Sequence, residues 1–178
     1  MTVTDVNVVK SAIFERPDDA NKGTLGSLLC VCGSYGMAGA AVMSAKGALR
    51  TGIGLAKCAL PRSIYPIVAQ TILESVYYPL SENADGRISK VNVPFLVSES
   101  CKSSATLVGC GLGVCDDTLK IVFSLIENST TTLVLDADAL NCVAKQPEIL
   151  LRKKAPIIIT PHPGEMSRLT GLATPLVN

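Results

Sequence analysis

The sequence contains no tryptophan, and its 178 residues include only four tyrosines, three phenylalanines and one histidine. So few aromatic rings argue against a surface on which nucleic-acid bases stack. The net charge of +1 argues against a basic footprint for nucleic acid or for an anionic membrane. Apolar runs are all shorter than a membrane span, and residues 1–10 alternate polar and apolar side chains, unlike a signal peptide. We therefore expect neither nucleic-acid nor membrane partners.

A zinc-binding pattern is also missing. The chain has seven cysteines, an odd number, and spacings such as Cys30-x-Cys32 and Cys110-x4-Cys115 do not match a zinc site. Reduced cysteines behave as small apolar side chains that pack in a core. Their number and spacing favour a cytoplasmic protein with reduced thiols and no metal ligands in this chain.

The sequence is rich in apolar residues, which make up 48% of the chain, and its mean hydropathy is +0.38. Its length suits a single domain with a buried core. Apolar runs of strand length alternate with segments of helical spacing. The predicted strands are residues 27–32, 53–60, 73–79, 105–109, 131–135 and 157–160. The predicted helices are residues 4–15, 40–49, 63–70, 91–101, 117–127, 139–145 and 147–154, with one more from Pro163 to a stop at Gly171. This order predicts a single α/β domain over residues 1–178, with a mostly parallel sheet and helices on both faces.

The histidine of the chain, His162, lies in a turn between the last strand and the last helix. Pro161 and Pro163 cannot lie inside a strand, and Pro163 suits the first position of a helix. Ligands of parallel α/β sheets bind where strands end and helices begin. A lone histidine in such a turn is either a structural residue or a ligand contact, and the residues by themselves leave both open.

Other turns after predicted strands carry glycines or carboxylates, namely residues 33–40, 109–113 and 136–141. Backbone N–H groups at such glycine-rich turns can bind an anion, although small residues at 33–40 also suit tight packing of a helix on a sheet. Asp116 is the expected N-cap of the helix that follows it. Of Asp136 and Asp138, we expect one to cap a helix and the other to serve the site. Together these turns predict a crevice for a phosphate-bearing ligand.

Six blocks in a fixed order then resemble one family. They are KGTLG at 22–26, GSYGMAGA at 33–40, RTGIG at 50–54, GCGLG at 109–113, LDADALN at 135–141 and TPHPGEMSRLTG at 160–171. The chain resembles the ADP/ATP-dependent NAD(P)H-hydrate dehydratases, members of the ribokinase-like superfamily, from about Lys22 to Gly171. Members of this family phosphorylate the 6-hydroxyl of hydrated NADH or NADPH with ADP or ATP, and loss of phosphate restores the reduced nucleotide.

The resemblance implies that Ala40, Gly113 and His162 contact the hydrated dinucleotide, NADHX or NADPHX. It implies that Gly39 and Gly111 shape the same turns, and that Asp138 and Asn141 line the crevice. ADP or ATP with Mg²⁺ would be the phosphoryl donor, and a homo-oligomer, by family resemblance a tetramer, would be the assembly.

The chain departs from the family pattern at Cys32 and Cys110, which replace a glycine and a proline that the family commonly has. It also lacks the GxGD block that carries the catalytic Asp and anion hole of the family, so no catalytic residue is assigned in this chain. We expect a C-terminally incomplete ribokinase-like domain that holds the substrate half of the site and has an uncovered apolar sheet edge. We expect the chain alone to bind dinucleotide weakly or not at all and to perform no nucleotide-dependent repair. Two alternatives stay open: a small-alcohol kinase of the hydroxymethylpyrimidine type, or a non-catalytic dinucleotide-binding remnant.

Overall fold

The computed structural model describes Asp18, Ala20 and residues 23–174. The predicted helix at residues 4–15 and the side chain of Lys22 lie outside this part of the chain. Six strands form a single sheet. In chain order they are β1 (Ser27–Val31), β2 (Leu55–Pro61), β3 (Val76–Leu80), β4 (Ala105–Val108), β5 (Thr132–Leu135) and β6 (Ile157–Ile159).

Helices connect the strands, and each predicted helix in the described range has a counterpart. They are α1 (Ala38–Arg50), α2 (Tyr65–Thr71), α3 (Val93–Cys101), α4 (Asp116–Asn128), α5 (Asp138–Val143) and α6 (Pro163–Thr170), with 3₁₀ turns at Lys90–Asn92 and Pro147–Arg152. Three of them, α2, α3 and α6, begin with a proline in the first turn, where its missing N–H costs no hydrogen bond. No helix among the described residues is both long and apolar enough to cross a membrane.

The sheet has the order β3-β2-β1-β4-β5-β6, and every neighbouring pair is parallel. The predicted parallel sheet is therefore confirmed. The chain proceeds outward from β1 to β3 and then returns to β4 on the other side of β1. At such a reversal the connections after the two central strands diverge to opposite faces and leave a crevice at the carboxyl ends of the strands. Here that crevice lies between the ends of β1 and β4.

Alternating side chains of the strands enter two separate cores. Leu29, Val31 and Val108 belong to the core that α3, α4 and α5 cover, whereas Cys30 and Cys58 belong to the core under α1 and α2. Because successive side chains of a strand point to opposite faces, these cores lie on the two sides of the sheet. The prediction of helices on both faces is confirmed. The helix α4 was predictable because its buried residues recur at the three- and four-residue spacing of one helix face. They include Thr118, Ile121, Val122, Leu125 and Ile126.

The edge formed by β6 is less covered than the rest of the sheet. Ile158 is 52% exposed and Ile159 is 38% exposed. Ile158 pairs with Val134 of β5. Because side chains alternate between the two faces along a strand, both residues lie on the face of the sheet that α1 and α2 cover near β1 and β2. The expected apolar surface at this edge of the sheet is therefore present in the described part of the chain.

Two predicted helix caps are wrong. The N-cap of α4 is Cys115, and Asp116 is its first residue, where a carboxylate still interacts favourably with the helix dipole. The N-cap of α5 is Ala137, so neither Asp136 nor Asp138 caps that helix. Ala137 has φ = 48°, the one positive φ outside glycine in the described residues. Both carboxylates are therefore directed to other partners.

Candidate functional site

The turns after β1 and β4 are joined by hydrogen bonds at the reversal point of the sheet. The N–H of Gly33 donates to the carbonyl of Cys110 at 2.8 Å, and the Oγ of Ser34 donates to the carbonyl of Gly111 at 2.8 Å. Ser34 is buried, with 5% of its surface exposed. The glycine-rich segments 33–40 and 109–113, which are distant in the sequence, thus form one structural unit.

Glycine at position 109 is required by the approach of another strand end. A Cβ at this position would lie 1.8 Å from the carbonyl oxygen of Asp136, and the φ of +130° also disfavours a side chain. This contact brings the turn after β5 against the turn after β4. The positive φ of Ala137 lies in the same contact region, and strain of this kind persists where the surroundings fix the backbone.

Of the predicted contact residues, Ala40 and Gly111 lie side by side. A Cβ at Gly111 would be 2.7 Å from the Cβ of Ala40, so only glycine lets the two turns approach so closely. Gly39 is different, because it is exposed and lies in α1. A Cβ at this position would have no atom within 4 Å apart from its own chain neighbours and the nearby helix backbone. Gly39 therefore borders open space at the start of α1.

Gly113, Asp138 and Asn141 form a second group. The N–H of Gly113 donates to Oδ2 of Asp138 at 2.8 Å, and the amide of Asn141 lies 3.4 Å from Oδ1 of Asp138. Arg168 of α6 donates from Nε to Oδ1 of Asn141 at 2.9 Å. Asp138 thus fixes the turn after β4, and Asn141 links that turn to the helix that His162 begins.

His162 is the N-cap of α6. Its Nδ1 accepts from the N–H of Gly164 at 3.0 Å, while its own N–H donates to Oε2 of Glu165 at 3.0 Å. Because Nδ1 is an acceptor, the proton of the neutral ring belongs on Nε2, which lies 3.3 Å from Oε1 of Glu165. The side chain of Glu165 is 7% exposed and that of His162 is 62% exposed, so the carboxylate orients a ring that faces solvent.

Of the seven predicted residues, Gly111 and Gly113 lie in the turn after β4, Gly39 and Ala40 in the first turn of α1, Asp138 and Asn141 in α5, and His162 at the N-cap of α6. All of them thus follow the carboxyl ends of β1, β4, β5 or β6. Ala40 meets Gly111, Gly113 meets Asp138, and Asn141 meets α6. Their role in binding stays a prediction. The structure also shows that His162 is a helix cap, a structural role that does not depend on any ligand.

Residues 81–87, which the sequence predicts as a loop, were not expected to take part in the site, and neither was their Arg87. A Cβ at Gly113 would lie 2.5 Å from Nε of Arg87, so the guanidinium packs directly on that turn. The loop is held to the first turn by a 2.8 Å hydrogen bond from the N–H of Tyr35 to the carbonyl of Gly86. An open cavity of about 510 Å³ lies beside these residues, lined by Tyr35, Ser63, Glu82, Asn83, Ala84, Asp85 and Gly86. A basic side chain among acidic and polar ones in the segment SENADGRI was the available signal.

The two cysteines that depart from the family pattern form a thiol pair beside the site. A hydrogen bond between them lowers the pKa of Cys110 and raises the pKa of Cys32, and burial raises the pKa of Cys32 further. The Sγ of Cys110 also lies 3.4 Å from Oδ2 of Asp136. The side chain of Asp136 thus accepts a hydrogen bond from a thiol, whereas that of Asp138 accepts from the backbone N–H of Gly113 and from the amide of Asn141.

Within residues 23–174 no group of three or more His, Cys, Asp or Glu side chains is arranged to hold a metal ion. Asp136 and Asp138 have different hydrogen-bond partners, as described above. Mg²⁺ is usually held by one or two carboxylates together with substrate phosphates and water, so it does not require a cluster of this kind.

Comparison with known proteins identifies relatives of this architecture. Residues 28–176 match the NAD(P)H-hydrate dehydratase family. A bifunctional NAD(P)H-hydrate repair enzyme, Nnr, from Thermofilum pendens is 37% identical over 156 residues, which cover 88% of this chain and 30% of the relative. An ADP-dependent (S)-NAD(P)H-hydrate dehydratase from Neisseria meningitidis is 31% identical over 159 residues, which cover 88% of this chain and 49% of the relative. The chain spans between about a third and half of the length of these relatives.

Solved structures give the same result for the fold. The ADP/ATP-dependent NAD(P)H-hydrate dehydratase from Bacillus subtilis, co-crystallized with ATP and Mg²⁺, has a TM-score of 0.73 at 27% identity and covers 95% of this chain and 56% of its own. A ribokinase-like superfamily protein from Enterococcus faecalis has a TM-score of 0.76 at 20% identity and covers 92% of this chain and 54% of its own. The ribokinase-like fold that the resemblance implied is confirmed.

Proposed function

The chain belongs to the NAD(P)H-hydrate dehydratase family, and on that premise we propose that it contributes the substrate-binding turns of an enzyme that restores hydrated NADH or NADPH to the reduced nucleotide. The observation that supports this most directly is the pair of glycine-rich turns joined at the reversal point of the sheet. The exposed backbone of Gly36 and Gly39 in the first of these turns allows the close approach that a bulky pyrophosphate needs.

In this proposal Gly39 and Ala40 provide the surface on which the dinucleotide lies, and the buried Gly111 lets the two turns approach each other closely. Gly39 has no side-chain neighbour, so a ligand can approach the first turn of α1. Asp138 fixes Gly113 and also contacts Asn141, whose Oδ1 accepts from Arg168 in the last turn of α6. The exposed ring of His162, oriented by Glu165, faces the ligand from the turn after β6.

The reaction itself needs a phosphoryl donor, which for the whole protein we propose to be ADP or ATP with Mg²⁺. The donor supplies the phosphate that converts the 6-hydroxyl into a leaving group. Phosphoryl transfer needs a base near the attacking hydroxyl and donors for the developing charge. The contribution that we assign to the described residues is to bind and orient the dinucleotide.

Two further properties of the whole protein belong to this proposal. We place it in the cytoplasm, in keeping with the seven free cysteines of the chain. We also propose self-association into a homo-oligomer, a tetramer as in the family resemblance, with the dinucleotide as the small-molecule partner.

Binding distinguishes this function from the small-alcohol kinase that also has this fold. Saturation-transfer NMR is recorded on the chain with hydrated NADPH and, separately, with hydroxymethylpyrimidine. We expect saturation transfer to the hydrated dinucleotide and none to the pyrimidine. The reverse result would favour the kinase.

Activity is tested on a protein of the relatives' length that contains these 178 residues. It is mixed with hydrated NADH, Mg²⁺ and either ADP or ATP, and the absorbance of reduced nicotinamide is followed. Recovery above a control without nucleotide is expected. Recovery equal to that control would refute the dehydratase activity.

A further inference from the structure

Arg87 is held in a fixed position at the edge of the two central turns. Its carbonyl accepts from the N–H of Asn83 at 2.9 Å, and its N–H donates to Oδ1 of Asn83 at 3.1 Å. The same loop is closed by a bridge between Glu82 and Ile88. The loop is tied to the turn after β1 through Tyr35 and Gly86, so the position of Arg87 relative to both turns is determined by the backbone.

The guanidinium of Arg87 packs on Gly113 and uses little of its hydrogen-bonding capacity there. It has five N–H donors. Its Nη1 lies 3.4 Å from the carbonyl of Val114, a long hydrogen bond, and 3.9 Å from Oδ2 of Asp85. The side chain is 31% exposed. A charged group that is partly buried, fixed in place and weakly paired is suited to an anionic ligand.

The carboxylates around Arg87 do not neutralise it effectively. Asp85 is 70% exposed, and its distance to Arg87 is close to the limit for an ion pair. Asp117 accepts from Asn83 at 3.0 Å, and Asp138 accepts from the N–H of Gly113. Burial raises the pKa of the Cys115 thiol, but hydrogen bonds that include one from Arg87 outweigh it and lower that pKa. The positive charge thus acts on its surroundings without a strong partner.

Resting on the function proposed above, we propose that Arg87 binds a phosphate group of the dinucleotide at the turn 109–113. Glycine at position 113 lets the guanidinium lie against the backbone of that turn, which leaves N–H groups of the guanidinium to bind the phosphate. The phosphate is either the bridging pyrophosphate, which NADH and NADPH share, or the 2′-phosphate, which only NADPH carries. Arginine suits both because its planar fork can donate two hydrogen bonds to one phosphate.

The test compares the dissociation constants of NADH, NADPH and inorganic pyrophosphate for the wild-type chain and four variants. Arg87→Ala removes the charge and Arg87→Lys keeps it without the fork. Asp85→Asn removes the competing carboxylate but keeps the backbone of the loop. Arg152→Ala removes an equal charge from an exposed arginine that pairs with Glu127 at 3.0 Å, and it is the matched control.

We expect Arg87→Ala to weaken phosphate binding by about tenfold or more, Arg87→Lys to weaken it less, and Asp85→Asn to strengthen it. Arg152→Ala should have no effect. Weaker binding of both dinucleotides assigns the contact to the pyrophosphate, whereas weaker binding of NADPH alone assigns it to the 2′-phosphate. A purely structural Arg87 would not predict tighter binding by Asp85→Asn.

The outcome separates this proposal from the function on which it rests. If the wild-type chain binds neither dinucleotide but binds pyrophosphate through Arg87, the phosphate site stands and the dinucleotide function fails. Dinucleotide binding that Arg87→Ala leaves unchanged overturns the Arg87 proposal alone. A chain that binds none of the three ligands overturns both.

Discussion

At the scale of single residues, the glycines of the site have different reasons to be glycine. Gly109 is fixed by packing, since a Cβ would collide with the carbonyl of Asp136. Gly39 has ordinary helical backbone and free space around it, so neither packing nor conformation explains it. A ligand that approaches the backbone at this point would explain it.

Gly39→Ala therefore separates stability from binding. Alanine is favoured over glycine in a helix by about 1 kcal/mol, so we expect equal or higher stability in urea unfolding. We also expect weaker binding of NADPH, because the methyl group occupies the space of the ligand. Gly47→Ala is the control, since Gly47 is also exposed in α1 with nothing within 4 Å and lies outside the turn. A Gly39→Ala chain that binds NADPH as well as the control does would remove Gly39 from the site.

A buried ion pair away from the site determines part of the acid stability. Glu99 accepts from Lys102 at 2.9 Å and from Tyr78 at 3.1 Å and lies 3.6 Å from Lys57. The side chains of Glu99 and Lys57 are only 11% and 12% exposed. The hydrogen bond from Lys102 lowers the pKa of Glu99 below its ordinary value of 4.5, against the opposing effect of burial. The carboxylate therefore contributes stability above pH 4.5, which is lost as the pH falls through the lower folded pKa.

Glu99→Gln should lower the free energy of unfolding near neutral pH by about 1–3 kcal/mol, because Lys57 loses its charged partner in a buried position. Its unfolding should also depend less on pH below 4.5 than that of the wild type. Urea midpoints at several pH values measure both effects. Glu127→Gln, which breaks a more exposed pair with Arg152, should change stability by less than about 1 kcal/mol. If the two variants lost equal amounts of unfolding free energy, the buried pair would stabilise the fold no more than the exposed pair does.

Residue patterns predicted which turns gather at the carboxyl end of the sheet better than they predicted the contacts between those turns. The glycines and carboxylates after apolar strands were recognisable because their positions follow the strand ends. The approach of Arg87 to Gly113 could not be predicted, since it depends on how the loop 81–88 folds back on the turn. The cap at His162 was missed because histidine is not among the preferred N-cap residues.

At the scale of elements, the strands were predictable because both faces of a central parallel strand are buried, which gives an almost continuous apolar run such as that of β1. The ends were less predictable, as at Ile53 and Gly54, which precede β2. The helix α6 shows how one element serves the site, because its cap, His162, and its first-turn Glu165 hold each other in place.

Substitutions at His162 distinguish its two roles. Asparagine is a good N-cap, so His162→Asn should keep the stability of the wild type, whereas His162→Ala should lose about 1 kcal/mol. Both variants lack the ring and should bind NADPH less well. Thermal unfolding and calorimetric titration measure the two effects. Wild-type affinity in His162→Asn would restrict the histidine to helix capping.

At the scale of the whole molecule, the sheet order determines where the site lies. The reversal between β1 and β4 brings the turns 33–40 and 109–113 together, and the carbonyl of Asp136 adds the turn after β5. Asn141 then connects this group to Arg168 of α6, the helix that follows β6. The sequence could not predict the order of strands, since every strand has a similar apolar pattern and pairing is decided by contacts distant in the sequence. The central claim is that these turns form one dinucleotide site.

Backbone amide NMR of the uniformly ¹⁵N-labelled chain, titrated with NADPH, tests that claim most directly. We predict that the largest chemical-shift changes fall in residues 33–40, 109–113, 136–141 and 161–165, together with the loop 81–88, even if binding is weak. The 3₁₀ turn Pro147–Arg152 should shift little and serves as an internal control. Shifts scattered over the sheet, shifts centred on that turn, or no shifts at millimolar NADPH would contradict the account.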